Sequence, residues 1–103
     1  MATSSFYVGQ IVQHLKFGYR GVVFGVDPEF NLSPQWNDEV ARSRPPKDQP
    51  WYHVLVDGGV HTTYVAERNL EPDTSTNPVN HPLVEDFFTS FERGRYIRGE
   101  WAH

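Results

Sequence analysis

Short runs in which apolar and polar residues alternate, separated by glycine and proline, predict a chain of strands over residues 6–70. The first predicted strand covers 8–14, and Gly9 permits a kink within it. The second covers 19–27, where further glycines indicate sharp curvature. Pro28 ends this strand because proline cannot donate to a strand ladder. The pattern therefore favours a small, curved sheet.

Two β-rich runs around Gly58-Gly59 give the strongest local signal, a hairpin whose glycines can take the positive φ angles of a type I′ turn. A two-residue turn pairs His53 with Tyr64 and Leu55 with Thr62. One face of the hairpin then packs in the core, and the other exposes an aromatic cluster unless the preceding insertion covers it. The predicted faces are Tyr52, Val54, Val56 and Val65 on one side, and Trp51, His53, Leu55 and Tyr64 on the other.

The long polar insertion over 31–50 carries a helix-start signal. Ser33 supplies a hydroxyl N-cap, Pro34 suits the first helical position, and the acids after it favour the positive end of the helix dipole. A short helix is therefore expected over 34–41. Loops of this length in compact domains are often functional or disordered.

The C-terminal part of the chain predicts further helical structure. Residues 67–70 predict a single tight helical turn that closes the barrel, and 72–80 form a polar linker. The segment 80–82, Asn-His-Pro, then caps a helix that Gly94 ends. An apolar stripe supports this helix, which is expected to dock on the barrel: Leu83, Val84, Phe87, Phe88 and Phe91.

Together these elements predict a mainly β fold, a small SH3-like β-barrel with a short helix in the central insertion and a C-terminal helix. Residues 1–72 form the barrel in this prediction. Residues 73–103 form a linker and a C-terminal helix with a basic tail, packed on the same domain. A chain of 103 residues has the usual size of one domain.

Composition narrows the class of protein. The chain has 7 Phe, 5 Tyr and 3 Trp, which suits a small core of large rings, and it has no cysteine for a disulfide or a thiolate zinc site. A signal-peptide pattern and a membrane-spanning apolar stretch are both missing, so a cytoplasmic location is expected. The formal net charge of −4 lowers the expectation of strong non-specific DNA binding, although a local basic patch is compatible with it.

The titratable residues give no catalytic or metal-binding pattern. The five histidines lack the spacing of a ligand pair, and the predicted register puts His53 and His61 on opposite faces of the hairpin. Asp27, Asp57 and Glu67 lie at strand or turn ends, where carboxylates stabilise turns. No cysteine nucleophile or Gly-x-Ser-x-Gly elbow occurs. The chain is therefore expected not to be an enzyme and to need no metal or cofactor.

Several aromatic residues are candidates for contact with a macromolecule. Tyr19 and Arg20 lie at a turn mouth, where they suit an interface or base stacking, unless Tyr19 folds onto the core. Trp36 either pins the insertion to the barrel or forms an exposed hook for a partner. The same two interpretations apply to Trp51 and Tyr64.

Basic residues are concentrated in the C-terminal tail, where Arg93, Arg95 and Arg98 either contact phosphate or form a solvated tail beside acids. Together with the aromatic candidates they complete a predicted macromolecule-binding set: Tyr19, Arg20, Trp36, Trp51, His53, Tyr64, Arg93, Arg95 and Arg98.

Four segments in a fixed order resemble the YccV-like family, also called the HspQ or hemimethylated-DNA-binding domain family. They are GQIVQH at 9–14, GYRGVVFGVDP at 18–28, PWYHVLV at 50–56 and YVAERNL at 64–70. The resemblance covers residues 6–71. It is specific because all four motifs occur in order.

This resemblance implies a small β-barrel without catalytic residues. Bacterial members of the family are associated with hemimethylated DNA at the replication origin, and also with heat shock, where they help a protease such as Lon to select substrates. Related domains occur in an adaptor of the Clp protease and in certain F-box proteins. The tail over 81–97 looks more like the F-box-associated form than the enteric bacterial form.

The function predicted from these observations is that of a macromolecule-binding module that modulates degradation by an ATP-dependent, Lon- or Clp-like protease in stress-related protein quality control. Its expected partner is the protease or a client protein. The alternative is a DNA-binding regulator that prefers hemimethylated duplex. A third hypothesis is a purely structural domain that self-associates as a homo-oligomer. No membrane partner is expected.

Overall fold

The computed structural model describes residues 5–29 and 49–98. Trp36, the helix expected over 34–41 and the chain beyond residue 98 lie outside the described residues. Within the two described ranges the chain forms these elements: β1 Ile11–His14, β2 Arg20–Asp27, β3 Trp51–Val56, β4 Thr62–Ala66, a 3-10 turn Glu67–Asn69, β5 Leu70–Pro72, α1 Val84–Phe87, β6 Ser90–Glu92 and β7 Arg95–Ile97.

Five strands form one antiparallel sheet in the order β4-β3-β2-β1-β5, and β6 pairs with β7 in a separate hairpin. The 3-10 turn confirms the helical turn predicted at 67–70. It carries the chain from one edge strand, β4, straight to the other, β5. Because the link from Ala66 to Leu70 can span at most about 14 Å, the sheet must curl until its edges are neighbours.

The mainly β class is confirmed, but the sheet is not closed into a barrel within the described ranges. Strand β4 pairs with β3 and strand β5 with β1, and no ladder joins β4 to β5. The 3-10 turn explains the difference, because its helical backbone angles take residues 67–69 out of the extended geometry that a ladder needs. The two edges are therefore joined by the chain itself.

The β3–β4 hairpin has the register that the sequence predicts. His53 lies opposite Tyr64, and Leu55 lies opposite Thr62. The turn differs from the predicted type I′. Gly58 has a φ of 84°, whereas Gly59 is outside the left-handed region, and a type I′ turn requires a positive φ at both central residues.

The sheet is buried on both faces, with one hydrophobic cluster on each. Adjacent residues of β3 show this directly, because Val54 and Leu55 point to opposite faces and both have 0% exposure. The inner cluster consists of Phe6, Val12, Val23, Tyr52, Val54, Val65 and Leu70, in agreement with the predicted face of Tyr52, Val54 and Val65. The outer cluster consists of Ile11, Val22, Leu55, Val79, Phe88 and Tyr96.

A β-bulge at Phe24 sharpens the curvature of β2. Val23 lies opposite Val54, and the next paired residue, Gly25, lies opposite His53. The predicted close approach at a glycine is found at Gly21, where an added Cβ would lie 2.5 Å from the carbonyl oxygen of Leu55. The bare backbone of β2 is therefore what allows β3 to pack so closely.

The predicted C-terminal helix is wrong beyond its first turn. Helix α1 covers only Val84–Phe87, and Phe88 is already extended, with φ −132° and ψ 148°. The next residues form the β6–β7 hairpin, in which Arg93 and Gly94 take φ angles of 54° and 79° at the turn. The aromatic residues still reach the outer cluster, but from a hairpin.

The β6–β7 hairpin docks against the residues just before β1. Tyr96 N–H donates to the Gly9 carbonyl at 2.8 Å, and Gly9 has a φ of 99°. A Cβ at Gly9 would lie 2.1 Å from the Tyr96 carbonyl oxygen, so this kink accepts only glycine.

Among the described residues, no helix is long and apolar enough to cross a membrane.

Candidate functional site

The predicted aromatic residues of the hairpin form one cluster around Asp27. Trp51 stacks on Tyr64 with ring centroids 5.1 Å apart, and the His53 ring lies 4.6 Å from Tyr64. Asp27 Oδ2 accepts a hydrogen bond from the Tyr64 hydroxyl at 2.7 Å and lies 3.1 Å from His53 Nε2. Trp51 is only 2% exposed, so the cluster turns its largest ring inward.

This cluster holds β2, β3 and β4 together at one end of the sheet. Phe24 extends it, with its ring 5.7 Å from His53 and 4.8 Å from Phe87. His53 and Tyr64 are half-buried, so only part of each side chain is open to a partner. Within the described residues, no group of three His, Asp or Glu side chains is placed to hold a metal ion.

Tyr19 takes the second of its two predicted positions and folds onto the inner cluster. Its hydroxyl is hydrogen-bonded to Thr63 Oγ1 at 2.8 Å, and its ring lies 5.1 Å from that of His14. Burial raises the pKa of Tyr19 above its ordinary value, and the hydrogen bond to Thr63 opposes this. Tyr19 therefore packs between the inner cluster and the turn that precedes it in the sequence.

Arg20 fastens the linker to the sheet. Its Nε donates to Asp73 and its Nη1 to Asp57, each at 3.0 Å. The remaining N–H groups donate to the carbonyl oxygens of Pro78 and Asn77 and to Ser75 Oγ. These partners account for all five donors of the guanidinium, so Arg20 has none left for a macromolecule.

The carboxylate of Asp57 completes this fastening, because its other oxygen accepts from Asn80 N–H at 2.7 Å. Gly58 N–H also donates to the Asn80 carbonyl. Immediately beyond, Val79 N–H donates to the Tyr96 hydroxyl at 2.9 Å. The linker predicted over 72–80 is thus an ordered strap that leads the chain from β5 to the outer cluster.

Unlike Arg20, the three C-terminal arginines lie in or beside the β6–β7 hairpin. Arg93 lies at the β6–β7 turn, Arg95 lies in β7 with a bridge to Gln10, and Arg98 comes just after the strand. All three are exposed. Glu92 lies opposite Arg95, yet none of the three guanidinium groups forms an ion pair in the described part of the chain. We call these three residues the arginine hairpin.

Sequence reasoning missed a second exposed feature, the turn between β1 and β2. Leu15 is 55% exposed and Phe17 is 69% exposed, with Lys16 between them. The ammonium of Lys16 lies 5.6 Å from the Phe17 ring centroid. An apolar–basic–apolar triplet inside a segment that otherwise reads as a turn is the signal that could have found it. We call residues 15–18 the apolar turn.

Hydrogen bonds support the backbone of the apolar turn. His14 Nδ1 accepts from the backbone N–H groups of Lys16 and Phe17, both at 3.1 Å. Leu15 N–H donates to the Asn69 carbonyl, and Gly18 N–H donates to the His14 carbonyl. Because every backbone donor over 15–18 is used, the exposed side chains stand on a preorganised support.

Burial, and to a lesser extent the charge of Lys16, lowers the pKa of His14 below its ordinary value of 6.5. The geometry agrees, because a nitrogen that accepts two hydrogen bonds cannot carry a proton. An unfolded chain binds this proton at higher pH than the folded one. The stability contributed by His14 is therefore complete above about pH 6.5 and is lost as the pH falls toward the folded pKa.

We expect Arg20→Lys to lower the free energy of unfolding by about 2 kcal/mol, because a single ammonium cannot reach both carboxylates and the strap. Urea unfolding measures the loss, and amide hydrogen exchange should show faster exchange at Asn80. Arg95→Lys is the matched control, since Arg95 has no ion pair among the described residues. Equal stability of the two variants would contradict the role given to Arg20.

We expect the His14→Asn variant to have a lower free energy of unfolding than the wild type at pH 7.5. This difference should become smaller as the pH falls to 5.0. Asparagine lacks the ring that stacks on Phe17, so the variant is less stable at pH 7.5. It can accept the turn's hydrogen bonds without titrating, so it avoids the acid penalty of the wild type. Thermal unfolding at both pH values measures the gap. His61→Asn, at an exposed histidine, is the control. A gap of constant size would show that His14 does not titrate in this range.

A known protein family has a matching sequence pattern. A family model described as hemimethylated DNA-binding protein YccV-like matches residues 4–95. The match includes the apolar turn, the strap and most of the arginine hairpin, and it extends beyond the motifs that carry the sequence resemblance over 6–71.

Proposed function

The chain belongs to the YccV-like family, and from that premise we propose that it binds double-stranded DNA and prefers hemimethylated duplex. The family is named for this activity. One structural observation supports its transfer to this chain, the presence of three exposed arginines without an ion pair among the described residues. Their charge is available to phosphate, unlike that of Arg20.

Guanidinium groups suit this role because each presents a planar set of donors that matches phosphate oxygens. Three contacts of this kind fix a protein on a duplex without reading its sequence. The acidic remainder of the chain, with a net charge of −4, limits how much of the surface DNA can approach. Binding is therefore confined to the neighbourhood of the arginine hairpin and should be sensitive to salt.

We expect the variant Arg93→Asn/Arg95→Gln/Arg98→Gln to weaken duplex binding and to reduce the slope of log affinity against log salt by about 2.7. That value corresponds to about 0.9 for each phosphate contact that is lost. Fluorescence anisotropy of a labelled 20-base-pair duplex at several salt concentrations measures the slope. Asparagine is chosen at position 93 because it tolerates the positive φ of that residue.

The control separates a local contact from a change in total charge. Arg95→Gln and Thr62→Glu each lower the net charge by one, but Thr62 lies on β4, which β3 and β2 separate from β1 in the sheet, whereas Arg95 is bridged to Gln10 just before β1. Only Arg95→Gln should lower the slope, by about 0.9. Equal effects of both changes would mean that the arginine hairpin is not the contact surface.

A second candidate function is that of a factor that modulates substrate degradation by an ATP-dependent protease. The charge of the chain supports it, since a net charge of −4 opposes association with DNA but does not oppose a protein partner. The two exposed apolar residues of the apolar turn also suit a protein contact. The proposal extends the heat-shock role that the sequence resemblance implies.

This candidate predicts that, at subsaturating client, the chain changes the rate at which a purified Lon- or Clp-type protease degrades an unfolded, fluorescently labelled client by up to about fivefold, since one contact of 1 kcal/mol changes affinity by that factor. ATP-free reactions are the control. An unchanged rate, together with no co-purification of protease or client, would argue against it.

We propose in both cases that the chain binds and does not catalyse. His53 and Asp27 form a pair that could resemble an acid–base pair, but Asp27 also accepts from Tyr64, and the cluster joins three strands. A cytoplasmic location and self-association as a homo-oligomer stay predictions from the sequence.

A further inference from the structure

Phosphate contacts alone cannot distinguish methylated from unmethylated DNA. A base methyl group lies in the major groove, and reading it requires an apolar surface that reaches the base edge. The arginine hairpin offers charge, and the apolar side chains beside it in the β6–β7 strands, Phe91 and Ile97, are half-buried. If the chain prefers hemimethylated duplex, another part of its surface must supply the apolar contact.

The apolar turn has the required properties. Phe17 and Leu15 are among the exposed large apolar residues of the described chain, and the apolar turn also carries Lys16. Lys16 forms no ion pair with any described residue, so its charge is free to meet a phosphate-lined groove. Strands β1 and β2 are also paired with β5 and β3, so the part of this hairpin that can enter a major groove about 12 Å wide is the apolar turn between them.

Preorganisation makes a small contact effective. The backbone donors over 15–18 are all bonded, and the Phe17 ring stacks on His14 with centroids 4.7 Å apart. The side chain therefore loses little freedom when it meets a base, and the cost of ordering it on binding is small.

The apolar turn and the arginine hairpin are placed so that one duplex can meet both. Arg95 is bridged to Gln10, just before β1, and the apolar turn begins at the other end of β1. The strand sets a separation of about 15–20 Å between them. That span accommodates a groove and the phosphate backbone beside it.

We propose that the apolar turn is the methyl-reading element, in which Phe17, flanked by Leu15, contacts one base methyl group in the major groove while Lys16 faces the adjacent phosphate. The proposal rests on the DNA-binding function proposed above and names the residues that give it specificity. One turn fills one methyl position, so this contact distinguishes a hemimethylated from an unmethylated duplex, and a fully methylated duplex should bind as well as a hemimethylated one.

The test measures anisotropy with four variants of the whole chain and one labelled duplex sequence in three forms: unmethylated, methylated on one strand and methylated on both. The methyl group is supplied as N6-methyladenine in one series and C5-methylcytosine in another. Phe17→Ser removes the apolar contact, and Phe17→Leu keeps it. Val60→Ser is the matched control, because Val60 is 71% exposed at another hairpin tip. The fourth variant is the triple arginine change.

We expect the wild type to prefer hemimethylated over unmethylated duplex by about fourfold, the gain from burying one methyl-sized group. Phe17→Ser should bring this ratio to about 1 while its affinity for unmethylated duplex stays within about twofold. Phe17→Leu and Val60→Ser should keep the ratio. The triple arginine change should weaken all duplexes alike and leave the ratio unchanged.

Several results would overturn the proposal, and they separate it from the function on which it rests. A ratio that survives Phe17→Ser, or one that falls equally in Val60→Ser, assigns methyl reading elsewhere. A wild type that binds duplex without any methyl preference removes the proposal and leaves DNA binding standing. A wild type that binds no duplex defeats both, and loss of client or protease binding by Phe17→Ser would then assign the turn to a protein. Thermal unfolding of each variant confirms that it is folded.

Discussion

The guanidinium of Arg20 is the interaction on which the outer half of the molecule depends. It joins β2 to the β3–β4 turn through Asp57 and to the start of the strap through Asp73. Both carboxylates are partly buried, so each would be costly without a cation beside it. The same group binds the strap carbonyls at Asn77 and Pro78. The strap can cross the sheet at this point because the charge of Arg20 is balanced by the two carboxylates and its remaining donors bind the strap carbonyl groups.

This crossing also determines the position of the outer layer. Val79 enters the outer cluster and bonds to the Tyr96 hydroxyl, and Tyr96 in turn bonds to Gly9 beside β1. The sheet thereby gains a second apolar layer, which explains why neighbouring residues of β3 are both fully buried. A chain of this size could not bury so much of its sheet with the inner cluster alone. The arginine hairpin is carried on this layer, so the position of its charges depends on Arg20.

Local chemistry was enough to predict the strands and one register. The glycine pair at 58–59 and the alternation on either side determine which residues face each other, because both signals act over a few residues. The prediction of a C-terminal helix was wrong because it rested on the same kind of local signal. The spacing of Phe87, Phe88 and Phe91 suits a helical stripe, yet the outer cluster accepts the same rings from a hairpin, and packing decided between them.

The binding surfaces were harder to predict, because exposure and pairing are set by residues far away in sequence. Arg20 and Arg95 are both arginines. Arg20 joins the strap to the sheet because Asp57 and Asp73 lie beside it, whereas Arg95 has no ion pair among the described residues and is exposed to solvent. Phe17 is exposed because His14 occupies the space beneath it. Neither arrangement has a local sequence pattern of its own.

The pairing of β1 with β5 has a consequence for synthesis of the chain. His14 lies opposite Leu70 and Val12 opposite Pro72, so the first strand waits for its outer neighbour until most of the chain has been made. Until then β1 is an open strand edge flanked by apolar residues, which is the kind of surface that promotes aggregation. A fragment that ends before Leu70 would therefore keep the outer edge of β1 open, whereas one that includes Pro72 contains the strand that covers this edge.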